Sequence, residues 1–229
     1  MTADAQIHQW IIDWLSPPRL GRYLALTSPS NSRQALLHYE WNLRLSAAFM
    51  RDVAHIEIAL RNAYDSTMRR LWSGDRHWLL DPLSPVSAPL GRNRDGRSTD
   101  MNSGNRRSIA AAVRRCRGRN VTPDAVIAEL PFGFWRHCGD SAHEATLWVP
   151  YLRHTWPSGT SRVQVDRALM GINTMRNRAA HHEPLLGNRG QDLRNAYESI
   201  LMLSDMLLPE LGEYVRETST VVSTLAARP

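Results

Sequence analysis

The spacing of apolar residues limits what this chain can fold into. Val53, Ile56, Leu60, Tyr64, Thr67 and Leu71 recur at intervals of three or four. That is the period of one face of an α-helix, not the period of two of a strand. Val165, Leu169, Ile172 and Ala179 fall on a second such stripe. Strand-like alternation is scarce, so the expected fold class is all-α. Helices are expected over about 4–15, 33–50, 52–72, 106–118, 123–129, 141–154, 161–181 and 190–208. Thr122-Pro123-Asp124 reads as a helix start, with Thr as N-cap and Pro in the first turn. Ser16-Pro17-Pro18 ends the first helix. Pro184 biases Glu183 away from helical geometry, so the helix before it is expected to end near His182.

A chain of 229 residues can bury a substantial core. Without an internal repeat, it reads as one helical domain over 1–229. Residues 81–105 are rich in Pro, Ser, Gly, Asn and Arg and read as a long, flexible inserted loop. The arginines of that loop either touch a polyanion or belong to a solvated tether between helices.

All 28 basic residues are arginine, and the formal charge is +6. The isoelectric point is about 10.0. The bland reading of the absence of lysine is coding bias, and the charge favours a polyanionic partner. Cys116 and Cys138 are the two cysteines, in no paired spacing. That argues against a disulfide framework and for a reducing cytoplasm. Residues 1–15 carry Asp4 and no early basic residue, unlike a secretory signal. No run approaches the roughly 18 apolar residues that span a bilayer, so no membrane partner is expected.

The stretch with the most chemistry is Arg176-Asn177-Arg178-Ala179-Ala180-His181-His182-Glu183-Pro184. An arginine fork binds phosphate bidentately and keeps its charge, and histidine both gives and takes protons near neutral pH. The pair suits cleavage of a phosphodiester without a metal. On an ideal helix Arg176 falls in the middle of the apolar stripe. A guanidinium there must snorkel, form a salt bridge or sit at an interface. His181 projects about 140° away from Arg176 on the same ideal helix. The two can meet one phosphate only through the length of Arg176, a break in the helix or a second subunit. Asn177 and His181 share a face at i, i+4, as do Arg178 and His182. His182 is read either as a surface histidine or as a direct participant. On the earlier helix Glu57 lies near the centre of its stripe, with Arg61 four residues on. The pair either forms a local salt bridge or orients Arg176.

Arg176, four residues and then His181 resembles the motif of the HEPN ribonucleases, an Arg followed after four to six residues by His. Three further blocks resemble the Abi-like (abortive-infection) proteins. They are Leu36 to Ala48, the Glu57-x-x-x-Arg61-Asn62 helix, and Leu130-Pro131-Phe132-Gly133-Phe134-Trp135. With Arg176 to Pro184 the four blocks stand in the family's order and span roughly residues 18 to 210. The 81–105 segment has no counterpart in that resemblance. It implies a HEPN-like helical bundle with additional helices, paired as a homodimer through its motif helices. It also implies an endoribonuclease acting as an abortive-infection or toxin–antitoxin toxin on cellular or phage RNA, held inactive by a protein or RNA antitoxin. In that reading Arg176 and His181 are catalytic: His181 transfers protons and Arg176 holds the scissile phosphate. Asn177, Arg178, His182, Glu57 and Arg61 support the site or bind substrate, and no cofactor or metal is needed. The competing readings are a HEPN-fold module that grips RNA without cutting it, and a helical interaction protein whose Arg176 seals a dimer interface.

Other signals are thinner. His137-Cys138 with His143 lacks a second pair to complete a metal site. Phe132, Phe134 and Trp135 either stack on a base or pack in the core. There is no Gly-rich phosphate loop and no credible Ser-His-Asp order.

Overall fold

The computed structural model describes residues 9–27, 31–94, 97–116, 121–185 and 189–229. Among these the fold is all-α apart from one small hairpin. Its elements are α1 (Gln9–Leu15), α2 (Pro17–Leu24), α3 (Ser32–Leu71), β1 (Gly91–Arg94), β2 (Arg97–Asp100), α4 (Ser103–Arg115), α5 (Pro123–Glu129), α6 (Phe132–Cys138), α7 (Arg162–Ala180), α8 (Arg189–Leu207), α9 (Pro209–Thr218) and α10 (Val221–Ala226). A run of 3-10 and π turns between 141 and 155 joins α6 to α7. No helix among the described residues is long and apolar enough to cross a membrane.

Helix α3 is the spine. Its 40 residues run unbroken where two helices, 33–50 and 52–72, are expected from sequence. Neither Pro nor Gly interrupts Met50-Arg51-Asp52, so nothing local breaks the ladder. Asn31 caps the start by accepting from the Gln34 amide at 3.1 Å. The face carrying Leu45, Phe49, Val53, Ile56, Leu60, Tyr64 and Met68 is buried. Helices α2, α6, α7, α8, α9 and α10 all pack against α3. Polar bonds fix the C-terminal end to it: Ser219 Oγ donates to the buried Asp52 at 2.5 Å, and Trp41 Nε1 donates to the Thr224 carbonyl at 2.6 Å.

The first expected helix corresponds to α1, and its residues 4–8 lie outside the described residues, as do 117 and 118 of the fourth. Ser16-Pro17-Pro18 ends α1 as expected and then starts α2, which the sequence reading lacks. Both prolines sit in the first turn, where a missing N–H costs nothing. Thr122 caps α5 as expected, accepting from the Ala125 amide at 3.2 Å.

Residues 81–105, expected as a loop, carry a built structure, with 95 and 96 outside the described residues. β1 and β2 pair antiparallel, with Gly91 opposite Asp100. Asp81, Ser84, Val86, Ser87, Asn102 and Asn105 are buried. Asn102 holds the segment: its amide donates to the carbonyls of Pro85 (2.9 Å) and Ala88 (2.6 Å). Its Oδ1 lies 3.0 Å from Asn105 Nδ2 and 2.9 Å from His143 Nε2. His143 in turn sits 2.7 Å from Asp140. Burial alone would raise the Asp140 carboxyl, but bonds from His137, His143 and the Ala142 amide outweigh it and hold it well below the usual carboxylate range.

Asn102→Leu keeps the volume and removes the side-chain bonds of Asn102, leaving the part-buried carbonyls of Pro85 and Ala88 unpaired. It is expected to cost about 2 kcal/mol or more, roughly 4–8 °C for a chain of this size. A thermal melt within 1 °C of the native protein contradicts that role.

Candidate functional site

Helix α7 buries Val165, Ala168, Leu169, Ile172, Met175 and Ala179. Arg176, expected in the middle of that stripe, is half-buried. Its Nε is shut away from solvent without a hydrogen-bond partner, while Nη1 donates weakly to Asn177 Oδ1 at 3.4 Å. Across the contact between α3 and α7, the half-buried Glu57 feels both Arg176 and Arg61. Burial pushes the Glu57 carboxyl up, and the two guanidiniums pull it back only in part. The Glu57–Arg61 salt bridge suggested by their spacing does not form: no ion pair within 4 Å joins Glu57 to any described residue. The Arg61 Nε is likewise buried without a partner. Two cations thus face one carboxyl with each Nε–H left unpaired, an arrangement whose unmet N–H groups cost free energy until an acceptor arrives.

The motif helix ends in a specific way. The last helical residue is Ala180, and His181 is the C-cap. The His182 amide donates to the Ala179 carbonyl at 3.0 Å, and the Glu183 amide to the Arg178 carbonyl at 2.9 Å. This pair of bonds is the Schellman closure, which needs a left-handed residue just past the cap. That residue is His182, with φ 54°. The shared face expected for Arg178 and His182 is therefore not built, because the chain leaves the helix before position 182. His181 is exposed, and no hydrogen bond links it to Arg176. Asn177 is exposed beside Arg176. Arg178 lies elsewhere: with Arg167, Met170, Thr174 and Asn195 it lines an open groove of about 780 Å³ between α7 and α8.

The sequence reading missed the residue that fixes this exit. Asn42 of α3 is fully buried. Its Oδ1 accepts from the Leu185 amide at 2.7 Å, and its Nδ2 donates to the Glu183 carbonyl at 3.3 Å. One side chain thus clamps both sides of Pro184. An amide among the buried positions Ala35, Leu45 and Phe49 was the available signal, since a buried Asn must find partners. The reading also missed Arg19 and Arg22 of α2, which line a small pocket with His182.

No protein-family model, no curated protein and no solved structure matches this chain.

Phe132, Phe134 and Trp135 are all buried, so this block packs in the core instead of stacking on a base. Trp135 meets Phe134 edge-on at 5.0 Å and Trp78 at 6.3 Å between ring centroids. Among the described residues no group of three His, Cys, Asp or Glu side chains could hold a metal ion. Cys116 and Cys138 are free and buried.

Two measurements check this geometry. Glu57 has a raised carboxyl in the folded state, so its ionisation opposes folding as pH rises through that folded value. Glu57→Gln is expected to raise the melting midpoint at pH 7 and to leave it unchanged near pH 3, where the native side chain is already neutral; an equal change at both pH values contradicts the assignment. At His182, glycine relieves the left-handed conformation and valine aggravates it. His182→Gly is expected to be as stable as the native protein or more so by up to about 1 kcal/mol, and His182→Val to lose more than about 1 kcal/mol. The reverse order excludes the Schellman geometry.

Proposed function

We propose that the protein is a metal-independent endoribonuclease of the HEPN type, active as a homodimer, and a toxin of an abortive-infection or toxin–antitoxin system. The observation that carries this reading is Arg176. It is a permanently charged fork, half-buried beside Glu57, with one N–H enclosed and unpaired. A phosphate oxygen or an acceptor from a second chain would complete it. His181 supports the reading by its exposure at the very end of the same helix, without an ion pair among the described residues. A proton-transfer residue needs that access.

The chemistry follows from these side chains. Arg176 would hold the scissile phosphate and stabilise the charge that builds on it. His181 would assist the 2′-hydroxyl in its attack or protonate the departing 5′-oxygen. Glu57 and Arg61 would set the position of the Arg176 guanidinium, and Asn177 would orient it from its own helix. Because the nucleophile is the 2′-hydroxyl, RNA is cut and DNA is not. Arg176 and His181 leave the helix in different directions, so a dimer in which α7 of each chain faces its mate offers the simplest composite site. A protein or RNA antitoxin would then act by covering that face.

The test is cleavage of labelled RNA by the pure protein. Cutting is expected to persist in EDTA. Arg176→Ala and His181→Ala should each reduce it at least about 100-fold while the protein remains folded. Arg176→Lys should also be poor, since an ammonium does not reproduce the fork, and His182→Ala should be milder than His181→Ala. Cleavage abolished by EDTA and restored by Mg²⁺ contradicts the mechanism. RNA that is bound tightly and never cut favours the non-catalytic module.

A further inference from the structure

A second basic cluster lies where the motif leaves its helix. Ser16 and Arg19 at the start of α2, and Arg22 in its last turn, line a pocket of about 220 Å³ together with His182, Glu183 and Pro184. The space is smaller than the roughly 300–1,000 Å³ of a typical small-molecule pocket. It suits a compact ion better than a base with its sugar. Neither guanidinium has an ion-pair partner among the described residues, although the Glu183 carboxylate lines the same pocket. Two permanent cations against one acid leave it net positive whatever the state of His182.

The backbone adds donors of the same sense. Ser16 occupies the N-cap of α2 but makes no side-chain cap bond. Pro17 and Pro18 carry no N–H, so the Arg19 amide is the first donor at that helix end. Ser16 (φ 61°) and His182 (φ 54°) are the two non-glycine residues with positive φ among the described residues, and both line this pocket. The clamp of Asn42 on residues 183 and 185 holds one wall in place from the core.

We infer that this pocket binds a phosphate group, and that it takes a backbone phosphate of the RNA strand flanking the one held at Arg176 and His181. The assignment to RNA rests on the ribonuclease reading above; the binding of phosphate does not. Arg19 and Arg22 contribute fork donors, the Arg19 amide contributes a main-chain donor, and the His182 ring offers a further N–H. Glu183 opposes the anion and weakens the site, which sets its affinity in the range of a contact that positions a strand without trapping it. His182 is then a substrate-positioning residue, separate in role from its neighbour His181.

The first test titrates isotopically labelled protein with inorganic phosphate, against chloride at matched ionic strength, and follows the arginine Nε–H and histidine ring signals by NMR. Saturable shifts are expected at Arg19, Arg22 and His182 and not at the buried His143. They should vanish in Arg19→Gln/Arg22→Gln, which keeps most of both apolar stems, and saturate at severalfold lower phosphate in Glu183→Gln. Shifts that are absent, or equal in chloride, overturn the phosphate site. The second test measures binding of a 2′-O-methyl RNA oligomer, which cannot be cut. The double Gln variant should bind about tenfold more weakly and lower the salt slope by about one to two. Unchanged RNA affinity, with the phosphate shifts intact in the native protein, overturns the RNA assignment in favour of a free phosphate ligand. Arginine-dependent binding of the oligomer without cleavage of unmodified RNA keeps the pocket and removes the ribonuclease reading. A thermal melt of each variant confirms that a loss of binding is not a loss of fold.

Discussion

Burial of one continuous face along α3 is the constraint on which the rest depends. At 40 residues this helix is about 60 Å long, far longer than its own propensity would justify. It persists because α2, α6, α7, α8, α9 and α10 cover it in turn. Each fully buried side chain such as Ile56 or Leu60 contributes about 1.5–3 kcal/mol. Polar residues on the same rod become anchors by the same burial. Asn42 takes the chain leaving α7, Asp52 takes Ser219, and Glu57 with Arg61 faces Arg176. The candidate site is therefore not built by the motif alone. It is built by a motif helix docked on a rod whose charged positions are already fixed.

That docking explains why the local charge balance is unfinished. A core arginine usually ends against a carboxylate or a carbonyl. Here two guanidinium N–H groups stay enclosed and unpaired near one carboxyl that burial pushes above its ordinary range. The Nε of Arg136 and Arg162 is enclosed in the same way, but only Arg176 and Arg61 face one shared carboxyl across α3 and α7. The end of α7 carries a second unfinished feature, since a histidine occupies the left-handed position that glycine ordinarily fills. Strain of this kind is kept where the surrounding structure over-determines it, and Asn42 and Pro184 do so here. Both departures fall within seven residues of the same stretch.

Much of this was legible from periodicity and little of it from composition. The stripes on α3 and α7 follow directly from residues three and four apart, and Thr122-Pro123 marked its helix start. The periodicity also placed Arg176 in the middle of the stripe on α7, where it is half-buried and not fully enclosed. The expected break near Met50 failed because a polar pair, Arg51-Asp52, reads as an interruption until the partner of the buried Asp52, Ser219, 167 residues away, is known. The 81–105 segment read as a loop because its order comes from Asn102 reaching back to Pro85 and Ala88 and on to His143, contacts without a local signature. The face shared by Arg178 and His182 was drawn by extending an ideal helix past its end. Pro184 gave the warning, but the exact exit depends on Asn42 in another element. Arg19 and Arg22 were overlooked because Pro17-Pro18 was read as an ending and not also as a beginning.

The most direct measurement is the chemistry of the cut ends, read on one RNA oligomer and on a copy bearing a single 2′-deoxy residue at the scissile position. The account predicts 2′,3′-cyclic phosphate or 3′-phosphate ends with 5′-hydroxyl partners from the first, and no cleavage at the substituted position in the second. Ends bearing 5′-phosphate, or undiminished cutting at the 2′-deoxy position, would contradict a mechanism built on Arg176 and His181.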